Sequence, residues 1–136
     1  MLNKTRKDLF THVNANWTET SIFFQGQDTE NQLTHGQDDW IYVSINHPKQ
    51  SKQSSLGGKP LFSRLGELLI KIFTRKKNGS GRLYTLMDLC ETMVRNKHIG
   101  ASVFSAPGSK RDEDESGWLV GITTGYFTTY TEHQIN

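Results

Sequence analysis

The chain has one cysteine, Cys90, and three prolines in 136 residues. A single cysteine excludes a disulfide framework and a cysteine-built metal cluster, and it suits a reducing compartment such as a cytosol. No apolar run approaches the roughly 20 residues that span a bilayer, so no membrane association is expected. The opening MLNKTRKDLF lacks the apolar middle of a signal peptide, so the three glycosylation-like triplets starting at Asn3, Asn16 and Asn78 read as chance matches. Hydrophobic residues make up only 34% of the chain. That fits a thin domain with much polar surface, or one that completes its burial against partners. Three tryptophans, seven phenylalanines and four tyrosines exclude full disorder.

The length suits one domain over 1–136, and neither an internal repeat nor a linker divides it. Residues 4–17 read as a helix. Thr5 and Asp8 have capping-box spacing, and Leu9, Phe10, Val13 and Trp17 form one apolar stripe. Residues 20–25 read as a short strand and 26–38 as a polar loop. In 39–47, Ile41, Val43 and Ile45 alternate with Trp40 and Tyr42, which is a strand pattern ended by Pro48. Residues 49–60 (KQSKQSSLGGKP) have no periodicity and read as a flexible loop. Residues 62–76 read as a long strand rather than a helix, because of their β-branched content and late alternation. Residues 81–96 are a helix buried through Leu83, Leu86, Cys90, Met93 and Val94, with Asn78 or Ser80 as its cap. A strand at 100–106, a charged turn at 107–116 and a last strand at 117–131 complete the chain. On that strand Gly121 and Gly125 share a face, marking a bulge or a close approach by the second helix or another subunit. The expected architecture is α+β, in the order α-β-β-β-α-β-β: a mainly antiparallel sheet with two helices packed on one face.

Catalytic motifs are not found. The five histidines are scattered, and none pairs with another His or Cys at ligand spacing, so no metal is expected. Cys90 sits on an apolar helix stripe with no activating base in sequence and reads as an inert core thiol. Asn78–Arg82 lacks the Gly-Lys-Ser/Thr ending of a phosphate loop and reads as a turn. The run Asp112–Glu115 lies beside Lys110 and Arg111, the pattern of a solvated hairpin tip. The expectation is a non-enzyme without cofactor.

Charge is more informative. The net charge is only +2, yet His47–Arg82 holds nine Lys/Arg against one acid, Glu67, leaving seven bases and thirteen acids elsewhere. Such asymmetry marks a nucleic-acid surface or unlike faces that meet between subunits. Its bland reading is a strand edge kept soluble by lysines. The second helix carries few basic residues, which argues against base readout.

The ordered plan resembles the tail terminator, or tail-completion, proteins of long-tailed bacteriophages over about residues 5–130. The likeness is carried by Arg6–Phe10 with Trp17, by Ser21–Gln25 and Asp39–Ile45, and by Arg64-Leu65-Gly66 before an Ile- and Phe-bearing strand. A Gly-rich turn, the helix around Asp88–Glu91 and the closing Gly117–Val120 stretch follow. The long 49–60 loop, and Gly26-Gln27-Asp28 where many members have an Asn, depart from the pattern. The resemblance implies a virion protein at the head–tail junction, assembled in the host cytoplasm. It would form a closed ring, typically a hexamer, that caps the tail tube protein and presents a docking face to the head-completion or connector protein. DNA would pass through its lumen. Contacts to the neighbouring subunit or ring, or to the lumen, are then expected from Lys49, Lys52, Lys59, Arg75, Lys76, Lys77 and Arg82. Within virion structure the rivals are a head-completion or connector protein and a tail tube subunit. From another class the rival is a small nucleic-acid-binding module using the basic 47–82 segment.

Overall fold

The computed structural model describes residues 2–48, 52–56 and 59–131, and for 52–56 and 59–61 the backbone alone. The chain is α+β. Its elements are α1 (Leu2–Asn16), β1 (Ser21–Phe24), α2 (Glu30–His35), β2 (Trp40–Asn46), β3 (Lys52–Leu56) and β4 (Lys59–Arg75). After a 3-10 turn (Lys76–Asn78) come α3 (Ser80–Val94), β5 (His98–Ile99), β6 (Ser102–Phe104), β7 (Gly108–Arg111) and β8 (Trp118–Thr131). The eight strands form one sheet in the order β1-β2-β4-β8-β6-β5, with β3 pairing β4 and β7 pairing β8. The β1–β2 pair is parallel and the others are antiparallel.

The long strand expected at 62–76 is the spine. It pairs with β8 without a break from Phe62–Thr131 to Arg75–Trp118, about 45 Å at roughly 3.4 Å per residue. On its other edge β2 covers Glu67–Phe73 and β3 covers Lys59–Ser63. The segment 49–60 is therefore not all loop. Its described part is a hairpin arm continuing β4 past β2, and residues 49–51 and 57–58 lie outside the described residues.

Strand alternation sends side chains to two faces. On the first face Ile41, Val43, Leu68, Ile70 and Ile72 pack with Leu9, Val13 and Trp17 of α1 and Leu83, Leu86, Met87, Cys90, Met93 and Val94 of α3. Full burial of each Leu, Ile or Val contributes about 1.5–3 kcal/mol. Gly121 and Gly125 mark a close approach rather than a bulge. A Cβ at Gly121 would sit 2.7 Å from the Met87 sulfur, and one at Gly125 3.0 Å from the Phe104 ring. Gly66 is the glycine of the Arg64-Leu65-Gly66 stretch. The Phe127 ring lies where its Cβ would be, so only glycine admits the ring there.

Four expectations need correction. The polar loop 26–38 contains α2, which packs Leu33 against the second face, opposite α1 and α3. The N-terminal helix starts at Leu2, so Thr5 lies inside it, 5% exposed, and Asp8 pairs with Lys4 at 3.2 Å instead of capping. Neither Asn78 nor Ser80 caps α3: its N-cap is Gly79, with no side-chain hydrogen bond. The strand at 100–106 is instead the β5–β6 pair joined at Gly100, and the charged turn includes β7.

Candidate assembly surface

The two ends of β4 treat their basic residues differently. At the Arg75 end both arginines are engaged within the fold. The Arg75 guanidinium lies 4.6 Å over the Trp118 ring and donates to the Gly36 carbonyl at 3.4 Å. Its backbone N–H donates to Asp39 Oδ1 at 3.1 Å, and Arg82 Nε donates to Asp39 Oδ2 at 3.1 Å. Asp39 thus ties the loop before β2 to the end of β4 and the start of α3. Arg75 and Arg82, expected at contacts between subunits or at the lumen, thus each have a partner within the fold. Lys76 and Lys77 remain exposed. Lys71 sits 3.8 Å from Asp112 and 3.6 Å from Glu115. Lys77, Asn78, Arg82, Glu19, Asp38 and Asp39 help line a polar cleft of about 530 Å³. Its mixed charge fits no single ion.

At the other end the arm contains Lys52 and Lys59, whose side chains lie outside the described part, as does all of Lys49. The basic segment is therefore two groups, separated by the length of β4.

The aromatic side chains follow the same division. Near Arg75 the second face is closed. Trp40 stacks on Phe73 with centroids 3.9 Å apart, Trp118 meets both edge-on, and the Trp118 indole donates to the Leu33 carbonyl at 3.0 Å. Near Phe62 the face is bare. Leu65, Val103, Tyr126 and Tyr130 are 40%, 37%, 47% and 44% exposed. The register clusters them: Leu65 and Val103 flank Thr128 on its two sides, and Tyr126 and Tyr130 are its neighbours along β8. Directly paired side chains on a sheet lie about 5 Å apart and diagonal ones about 7 Å. The four therefore form one apolar patch, edged by Glu67, whose carboxylate accepts from Asn46 Nδ2 at 2.9 Å. Sequence reading found the alternation in β8 but had no means of finding this patch. No signal in the strand itself says which part of a face another element covers.

Groups with reactive potential are engaged or isolated. Burial, followed by the Glu91 charge, pushes the Cys90 thiol far above its ordinary range, so it holds its proton. No group of three or more His, Cys, Asp or Glu that could hold a metal occurs among the described residues. His12 Nε2 bonds the Met93 carbonyl at 3.0 Å, and His47 Nδ1 donates to the Leu65 carbonyl at 3.3 Å. The Gly79 N–H, in the Asn78–Arg82 turn, donates to the Lys76 carbonyl at 3.1 Å. Of the acidic run, Asp112 and Glu115 face Lys71, and Asp114 pairs with Arg111 at 2.9 Å. No described helix is long and apolar enough to cross a membrane. In comparisons with known proteins, no family model matches the chain and no curated protein matches it in sequence.

Proposed function

We propose that the chain is a non-enzymatic structural protein that works by assembling with copies of itself and with other proteins. The observation that carries this reading is the bare Leu65–Val103–Tyr126–Tyr130 patch beside a projecting arm. Contiguous exposed apolar surface on a small domain is costly in water unless a partner covers it, and tyrosines are favoured at such contacts.

The particular reading is a bacteriophage tail terminator. It rests on the resemblance in element order, with which the α+β fold is compatible. In this reading the chain closes into a ring through two unlike patches, as ring closure requires. The ring caps the tail tube and offers its other side to the head-completion protein, with DNA passing through the lumen. It acts in the virion at the head–tail junction and uses no cofactor.

The test is light scattering of the purified chain, alone and added to polymerising tail tube protein. A terminator forms one closed species and halts tube growth. A tube subunit forms open filaments, and a head-completion protein leaves tube length unchanged. A second reading, a nucleic-acid module, is favoured by one feature: residues 49–64 hold four Lys/Arg and no acid. It requires binding to free DNA that weakens steeply with salt. A gel shift with no retardation at low salt removes it.

A further inference from the structure

Eight asparagines occur in the chain, and only Asn78 precedes a glycine. This pair also has a distinct place in the fold. Asn78 ends the 3-10 turn that joins β4 to α3, and Gly79 follows with φ +77°, in the left-handed region that glycine enters without strain. Asn78, Gly79 and both lysines of the turn are exposed. A Cβ built at Gly79 would meet nothing within 4 Å, so no packed element crowds this backbone. Little holds the turn in place. The Gly79 N–H donates to the Lys76 carbonyl at 3.1 Å, in the poorer geometry of a single 3-10 turn, and α3 starts without a side-chain cap.

The other described asparagines are placed differently. Asn3, Asn14 and Asn16 lie in α1, Asn31 in α2 and Asn46 in β2, where regular hydrogen bonding fixes the backbone. Asn3 accepts from Arg6, Asn16 donates to the His12 carbonyl, and Asn46 donates to Glu67. Asn96 is exposed in a turn, but Lys97 follows it, and that side chain shields the amide nitrogen between them.

We infer that Asn78 is a site of spontaneous deamidation, converted to aspartate and isoaspartate in the folded chain. The Gly79 amide nitrogen attacks Asn78 Cγ, unhindered because glycine has no side chain. A bond forms between that nitrogen and Cγ, the bond from Cγ to the side-chain amide nitrogen breaks, and that nitrogen leaves as ammonia with the Gly79 proton. Water then opens the cyclic imide at either carbonyl. One opening gives aspartate; the other gives isoaspartate, in which the main chain runs through the side-chain carbon. Water is the only reagent. The neighbouring Lys76 and Lys77 ammonium groups favour loss of the Gly79 amide proton. The positive end of α3, which begins one residue beyond Gly79, favours the carboxylate that results. The new charge joins Glu19, Asp38 and Asp39 against Lys77 and Arg82 in the polar cleft. The formal net charge falls from +2 to +1. The lysine turn thus becomes less cationic as the chain ages, whether or not the chain assembles.

The experiment incubates the full folded chain at body temperature and mildly alkaline pH, and maps its peptides by mass at intervals. The peptide containing Asn78 is expected to exchange its amide for an acid about tenfold faster, or more, than a peptide containing any other asparagine. It should also separate into two acidic forms, one of them a substrate for an isoaspartyl methyltransferase. Asn78→Gln keeps the charge, and its longer side chain closes the ring poorly. It is expected to abolish the early acidic species seen by ion exchange, with an unchanged thermal melt establishing that it folds. Conversion spread evenly over the asparagines overturns the inference. So does an Asn78 that reacts in denaturant but stays intact in the folded chain, or an early acidic species that survives Asn78→Gln.

Discussion

The two ends of the β4–β8 ladder are made of the same strands but serve different needs. At the Arg75–Trp118 end aromatic rings stack, α2 closes the second face, and Asp39 binds both an arginine and a backbone amide. At the Phe62–Thr131 end the ladder continues while its second face stays open and its tyrosines face solvent. Regular strand pairing holds both ends equally, so what differs is coverage. A strand can extend beyond its own core only if its backbone is paired, and β8 and β3 supply that pairing on both edges of β4. The closed end stores stability, and the open end is free to serve contacts.

The comparison is broken most forcefully at the closed end. Trp118→Ala removes a fully buried ring together with the Leu33 bond and the Arg75 stack, and is expected to cost about 3–5 kcal/mol in denaturant unfolding. Leu65→Ser at the open end is expected to change folding stability by no more than about 0.5 kcal/mol. Equal losses at the two positions would erase the distinction. Gly66→Ala forces a methyl into the Phe127 ring and is expected to cost about 1–3 kcal/mol by the same measurement. Asp39→Ala strands the Arg75 amide and the Arg82 guanidinium, an expected loss of about 1–3 kcal/mol. Lys76→Glu and Lys77→Glu, on exposed side chains in the same turn, are expected to stay within about 0.5 kcal/mol.

The smallest effect concerns pH. Burial, aided by the Arg64 charge and opposed by the bond to Leu65, lowers the His47 pKa below its ordinary value of about 6.5. The fold therefore favours the neutral ring. The His47 contribution is complete above about pH 6.5 and is lost as pH falls through the lower folded value. Unfolding midpoints measured down a pH series should fall more for the wild type than for His47→Gln below about pH 6.5.

Much of this fold is legible in the residues. Alternation in 39–47 and 117–131, and the stripe from Leu83 to Val94, announce their elements because a two-residue or 3.6-residue period needs no partner to be visible. The paired glycines 121 and 125 announced a close neighbour: at Gly121 it is α3, and at Gly125 it is Phe104 of β6 together with Val94 of α3. α2 was hidden because its six residues, ENQLTH, carry one apolar side chain, too few to show a period. The arm was hidden because the polar stretch KQSSL pairs through its backbone, which leaves no mark in side-chain chemistry. Of the candidate site, the basic residues were visible but their partners were not. Asp39 lies 36 residues from Arg75 and 43 from Arg82, and nothing local connects them.

Local chemistry thus determined the α+β class, the long central strand, the buried faces of α1 and α3 and the uneven charge, because each depends on residues close together in the chain. Tertiary structure alone decided which cations are spent on Asp39 and Trp118 and which tyrosines stay uncovered. It also placed the open apolar patch and the closed aromatic cluster at opposite ends of one ladder. Those outcomes depend on which distant segment arrives to cover a given surface, and coverage is a property of the whole chain's packing.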